Sequence, residues 1–316
     1  MRRLLKRLGL GRIIYYAWHW PRGEIAISIR AGGPIEQWRT ARGRAAMRRA
    51  AAGLARQDFA GPALELHLLT GRRFWYQTAF CLWSFSRQAG RALAPVIYDD
   101  GSLGAAHRAE LERLFPAARF VAQADTIARL DAHLPAARFP VLRERWIRYP
   151  HIRKLTDPHA GSSGWKLVVD SDLLFFHKPQ FLIDWLGAPA RPLHAVDVEK
   201  SYGYSDALLA SLAQSPLHPR LNVGLCGLNS SELDWELLED CCRRLIAAEG
   251  TSYYLEQALV ALILAGRGCA EAPALEYLTL PRPPEAVDCK AVMHHYVADS
   301  KRWYFRRNWR VAAGIA

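Results

Sequence analysis

The sequence predicts an α/β fold: a doubly wound, mixed but mainly parallel sheet flanked by helices. Three observations carry this. Short apolar runs alternate with helix-period segments from Leu64 to Val169. The connections are short and hold turn residues such as Thr70-Gly71 and Asp99-Asp100-Gly101. The chain has 316 residues, 51% hydrophobic and 23% charged, enough for one large core or two small ones.

The elements follow in order. Residues 1–22 are a basic, aromatic-containing arm. Residues 24–29 read as a short strand before a turn at Gly32, Gly33 and Pro34. Residues 36–57, rich in Ala and Arg, read as a helix. The alternation then runs strand 64–69, helix 74–87, strand 93–98, helix 105–114 and strand 119–121. Residues 143–155 read as mostly helical despite Pro150, and 165–169 as a strand ending at Asp170. Strands are expected at 193–198 and 221–228, and helices at 233–249 and 254–265. Pro281, Pro283 and Pro284 break the chain before a final segment at 291–305. The expected organisation is a basic arm and helix over 1–58 and a single domain over 59–316.

Charge is uneven. Residues 1–50 hold 12 Lys and Arg against Glu24 and Glu36, net +10. Residues 301–310 add five cations and no acid, out of a total of +12. The body between is slightly acidic. Arg2, Arg3, Lys6 and Arg7 beside Leu4, Leu5, Leu8, Ile13 and Ile14 suit peripheral contact with an anionic membrane, or a solvated basic helix. No nucleic-acid reader motif accompanies the charge, so no nucleic-acid partner is expected. The six cysteines (Cys81, Cys226, Cys241, Cys242, Cys269, Cys289) show no C-x-x-C pair and no zinc-like spacing with histidine. They are expected to be reduced structural thiols. There is no secretory signal and no run of the roughly 18–20 apolar residues that a bilayer span needs. The expectation is a cytoplasmic protein, at most peripheral at the inner face of the membrane.

The segment Lys166-Leu-Val-Val-Asp170-Ser171-Asp172-Leu-Leu-Phe-Phe176 carries the main chemical signal. Burying charge is costly unless it is compensated, so two carboxylates at the end of an apolar strand call for a reason. Residues i and i+2 of an extended segment face the same way, roughly 7 Å apart. Two hard oxygen ligands so placed suit a divalent cation that bridges to a diphosphate. Two other readings stand beside this one. The acids form a solvated surface turn, or the segment is the D-x-D of a haloacid dehalogenase-type phosphohydrolase, with Asp170 as nucleophile and Asp172 as general acid/base.

A second segment, His295-Tyr-Val-Ala298-Asp-Ser-Lys301-Arg302-Trp303, lies far along the chain. Together the two resemble GT-A glycosyltransferases. Within these they resemble the retaining family of glycogenin and bacterial galactosyltransferases, whose C-terminal signature is H-x-x-G-x-x-K-P-W. The resemblance implies a GT-A type sheet, a nucleotide-sugar donor read as a UDP-sugar, and an unknown carbohydrate, lipid-linked or protein acceptor. It implies Mn²⁺ or Mg²⁺ on Asp170, Asp172 and His295, with Lys301 at the donor diphosphate. Asn222-Val-Gly224 resembles the family's N-x-G strand, where Asn222 would meet sugar hydroxyls and Gly224 would leave room for the ring. Glu256-Gln257 resembles its D-Q pair near the donor sugar. Thr70 and Asp100 fall where the family binds base and ribose, and Arg153 falls where an arginine meets donor phosphate or sugar. Plainer roles remain for these residues: a bulge at Gly224, a first-turn acid at Glu256 and a simple turn at Asp100-Gly101. The chain departs from the family at Ala298 (Gly), Arg302 (Pro) and Glu256 (Asp). These departures keep open a nucleotide-sugar binder without catalysis.

Overall fold

The computed structural model describes residues 33–315. The basic arm, the strand expected at 24–29 and Gly32 lie outside the described residues. Helix α1 (Gly33–Ala51) leads to β1 (His67–Thr70), α2 (Trp75–Ala89), β2 (Val96–Asp99), α3 (Ala105–Leu114) and β3 (Arg119–Val121). Then come α4 (Gln123–His133), α5 (Pro140–Arg148), α6 (Arg153–His159), β4 (Trp165–Val169) and β5 (Leu173–Phe175). The second half holds α7 (Gln180–Gly187), β6 (Leu193–Val196), α8 (Asp206–Leu212), β7 (Leu221–Asn229), α9 (Trp235–Glu249) and α10 (Leu255–Ile263). It closes with β8 (Ala270–Glu271), β9 (Tyr277–Thr279), α11 (Pro283–Asp288), β10 (Met293–His295), α12 (Lys301–Trp303) and α13 (Trp309–Ala313).

The main sheet has seven strands in the order β3-β2-β1-β4-β7-β6-β8. Its first four strands are parallel, β7 runs against both neighbours, and β8 is parallel to β6. This is the expected mixed, mainly parallel sheet. A second sheet, β5-β10-β9, positions the site. Its antiparallel register sets His295 opposite Leu173, next to Asp172. The two sequence motifs therefore meet through one strand pair.

Two apolar clusters fill the molecule. One unites α1, α2, β1, β5 and the C-terminal helices; the other unites α5, α6, β7, α9 and α10. Each large side chain fully buried there contributes about 1.5–3 kcal/mol. The first reaches back to α1, where Met47 and Ala51 are fully buried. Among the described residues no helix is long and apolar enough to cross a membrane.

The differences from the sequence reading have local causes. Gly33 and Pro34 open α1 instead of forming a turn, since proline suits the first helical position. The helix stops at Ala51, short of residue 57. Pro150 lacks an N–H and clashes with the preceding turn. It splits the stretch at 143–155 into α5, a 3₁₀ turn at Pro150–Ile152, and α6.

Candidate functional site

Asp170 and Asp172 flank the turn between β4 and β5, at the carboxyl end of a central strand where α/β sheets build their sites. The donor atoms of Asp170, Asp172 and His295 lie within 4.8 Å of one another. His295 Nε2 is 3.5 Å from Asp170 Oδ2 and 3.4 Å from Asp172 Oδ1. The imidazole is buried, and neither ring nitrogen has a hydrogen-bond partner among the described residues. Such an orphaned donor is rare and costly. An imidazole and two carboxylates around a common point suit a divalent cation such as Mn²⁺.

Gly224 makes room for this arrangement. A Cβ there would stand 2.4 Å from His295 Cε1 and 2.5 Å from its Nδ1. The absent side chain thus makes room for the imidazole, a role the sequence reading did not give this glycine. The bulge expected here is present: β6 and β7 slip register between His194, opposite Cys226, and Ala195, opposite Asn222.

Lys154 is the residue that sequence reasoning missed. Its buried ammonium donates to Asp170 Oδ1 at 2.8 Å and lies 3.2 Å from Glu256 Oε2. Its neighbour Arg153, the sequence choice, turns the other way. There Nε donates to the Trp146 carbonyl, Nη1 donates to the Asp100 carbonyl at 3.4 Å, and the guanidinium stacks 4.1 Å from the Trp146 ring centre. Arg153 therefore joins the Asp100 end of the site, one residue from the carboxylate end.

The electrostatics follow from burial against pairing. Burial opposes the charge on Asp170, but Lys154 and His295 prevail and hold its pKa below the usual carboxylate range. Asp172 is likewise lowered, against burial, by His295 and Lys301. Burial would lower the His295 pKa, yet the two carboxylates raise it to about 9. Burial wins at Glu256, pushing it up to about 7 despite Lys154.

Asn222 and Gln257 meet at a second residue not foreseen, Asp197. Asp197 Oδ2 accepts from Asn222 Nδ2 at 3.0 Å and from Gln257 Nε2 at 3.3 Å. Asn222 Oδ1 also accepts from the Gly224 N–H at 2.9 Å. Glu256 sits in the first turn of α10, as its helix-start reading required, but its partner is Lys154. Lys301 Nζ is 3.1 Å from Asp172 Oδ2, and its side chain is 42% exposed.

Thr70 and Asp100 adjoin each other. The Asp100 N–H donates to the Thr70 carbonyl at 2.9 Å, and the Thr70 hydroxyl accepts from Thr78. The Asp100 carboxylate accepts from the N–H and hydroxyl of Ser102. It lies against Gly71, where a Cβ would be 2.0 Å from Oδ1. Among the described residues no hydrogen bond joins Thr70 or Asp100 to Asp170, Asp172 or His295.

Beside Asp197 a cleft of about 770 Å³ opens, lined also by Arg220, Leu275, Ala298, Arg302 and Trp303. Ala298, the departure from glycine, has a φ of +44°. The backbone keeps the left-handed conformation that glycine favours, at a steric cost of about 1–2 kcal/mol for alanine.

No protein-family model matches this sequence, and no curated protein is similar to it. Among solved structures the chain is similar to the galactosyltransferase LgtC in complex with donor and acceptor sugar analogs, with a TM-score of 0.54 at 14% identity. That likeness covers 79% of this chain and 95% of LgtC. Mouse xyloside xylosyltransferase 1 is similar over 76% of this chain and 99% of its own, at 12% identity and a TM-score of 0.46. The bifunctional glycosyltransferase WbbM is similar over 77% of this chain and 47% of its own, at 13% identity and a TM-score of 0.49. The sheet order, the placement of the carboxylate pair and the LgtC likeness together identify the fold of this chain as the GT-A fold of glycosyltransferases.

Proposed function

We propose that this chain is a divalent-metal-dependent glycosyltransferase. It moves a sugar from a nucleotide-diphosphate donor, read as UDP-linked, to a carbohydrate-bearing acceptor. The observation that carries this is the convergence of Asp170, Asp172 and the buried His295 imidazole at the end of β4, their donor atoms within 4.8 Å of one another. Those three residues would hold Mn²⁺ or Mg²⁺. A bound cation would supply Lewis-acid stabilisation of the departing diphosphate.

The chain's own groups do the rest. Lys301 is half-exposed and can turn from Asp172 to the diphosphate, where an ammonium offsets developing charge. Arg153 approaches the donor from the Asp100 side, where Thr70 and Asp100 are assigned to base and ribose. Lys154 ties Asp170 to Glu256 and so fixes the metal-facing carboxylate. Asn222, Asp197 and Gln257 form one hydrogen-bonded unit that orients sugar hydroxyls. Glu256 is engaged by Lys154, and from the resemblance of the motifs to the retaining family we assign a front-face, retaining route. Proton NMR of the product anomer checks that stereochemistry.

The phosphohydrolase reading requires Asp170 as nucleophile, yet Lys154 and His295 both engage its carboxylate. A binder without turnover would follow if Ala298 had displaced the backbone. The positive φ argues against that. The discriminating assay incubates the chain with a panel of UDP-sugars, with and without Mn²⁺, and follows release of free UDP. Metal-dependent UDP release, at least 100-fold lower in Asp172→Ala, is expected. Release of inorganic phosphate from simple phosphoesters with no UDP release would replace this reading with the hydrolase.

A further inference from the structure

A second constellation lies at the β6–β8 edge of the main sheet, two strands away from β4. His194 is on β6, His218 precedes β7, Cys269 immediately precedes β8, and Glu271 ends β8. The donor atoms of His194, His218 and Cys269 lie within 4.8 Å of one another. Glu271 Oε1 is 3.8 Å from His194 Nε2 and 3.4 Å from His218 Nδ1. A tetrahedral zinc ion with bonds of about 2.0–2.3 Å spaces its donors by about 3.3–3.8 Å, so small side-chain adjustments close this set.

The tautomers are already arranged for a cation. His194 Nδ1 bonds to the Ala195 carbonyl at 2.8 Å, and His218 Nε2 bonds to the Arg267 carbonyl at 3.1 Å. A carbonyl can only accept, so each of those nitrogens carries the proton. His194 Nε2 and His218 Nδ1 are left facing Glu271. Backbone carbonyls fix metal-bound histidines in this way. His194 is 1% exposed, and its Nε2 has no hydrogen-bond partner among the described residues. This nitrogen sits beside a thiol, an imidazole and a carboxylate.

We propose that His194, His218, Cys269 and Glu271 bind a structural zinc ion. Sulfur and imidazole donors select zinc over Mg²⁺ or Mn²⁺, which separates this site from the Asp170 centre. Binding forms the Zn–S bond and breaks the S–H bond of Cys269, whose proton leaves to solvent. Burial and the Glu271 carboxylate hold that thiol protonated, against the charges of Arg267 and Arg191.

The ion has a mechanical role. Strand β8 has only two residues and joins the sheet through β6. A zinc ion would clip β8, β6 and the approach to β7 together. These segments run directly into Asp197, Arg220 and Ala274, which line the large cleft. The clip would therefore set the walls of that cleft. The inference does not rest on the proposed transferase activity.

The test titrates the full chain, stripped of metal with EDTA, with Co²⁺ alone and then with Zn²⁺. One equivalent of cobalt should give a four-coordinate visible spectrum and a sulfur-to-cobalt charge-transfer band, both abolished by Zn²⁺. Cobalt at Asp170, Asp172 and His295 has no sulfur ligand and gives no such band. The band should persist in Asp172→Ala and vanish in Cys269→Ser. His218→Ala should weaken cobalt binding by more than about 100-fold, the upper end of what losing an outer-shell partner costs. Absence of the charge-transfer band from the unaltered chain overturns the proposal, whatever the variants do. So does its survival in Cys269→Ser.

Discussion

At the scale of single residues, the site depends on atoms that are missing as much as on those present. Gly224 has no side chain, and the His295 imidazole lies where a Cβ would be. Gly224→Ala should expel the ring, and metal-dependent nucleotide binding should fall as far as in His295→Ala while the far-ultraviolet circular dichroism stays unchanged. Retained binding in Gly224→Ala would mean that His295 is not a ligand. The carboxylate pair was legible in the sequence because both residues sit on one short strand end. His295 was legible only through the resemblance of its segment to the family's C-terminal signature. Lys154 and Asp197 were not. Lys154 finds Asp170 and Glu256, and Asp197 finds Asn222 and Gln257, only through tertiary packing. The resemblance favoured Arg153, where the family places an arginine against donor phosphate or sugar, and nothing local distinguishes it from its neighbour Lys154.

At the scale of elements, α3, β3 and β4 have the limits read from the sequence, since their apolar periods match their burial. Short elements such as β5, β8 and β9 were not foreseen, because two or three residues carry no period. Helix α6 carries a pH dependence at its last residue. His159 is buried, with Nδ1 on the Ser230 hydroxyl at 2.8 Å and Nε2 unpartnered among the described residues. Burial lowers its pKa to about 3. Its unfolded value is about 6.5, so between these limits the unfolded chain binds the extra proton. Stability is then lost as pH falls below about 6.5. Asp157, pushed up to about 6 by burial, works in the opposite sense, so a single curve mixes the two. The comparison with His159→Gln separates them. The stability advantage of the unaltered chain over that variant, from urea unfolding, should shrink by about 2 kcal/mol between pH 7 and pH 5. An equal advantage at both pH values would contradict the assignment.

At the scale of the molecule, the two motifs are more than a hundred residues apart in sequence, and one antiparallel pair, β5 with β10, unites them. The same C-terminal region holds α1 in place. A Cβ on Gly43 would be 2.3 Å from the Phe305 carbonyl, and Met47 and Ala51 enter the main core. The sheet's parallel half was legible from its strand–helix alternation. Its reversal at β7 was not, since direction is set by crossovers that leave no local mark. The central claim is that this architecture builds one metal-dependent nucleotide site from Asp170, Asp172 and His295. Isothermal calorimetry with UDP, run with Mn²⁺ and then with EDTA, tests it most directly. The account predicts binding only with Mn²⁺, lost in Asp172→Ala and in His295→Ala. Equal UDP binding with and without the metal, or unchanged binding in His295→Ala, would contradict it.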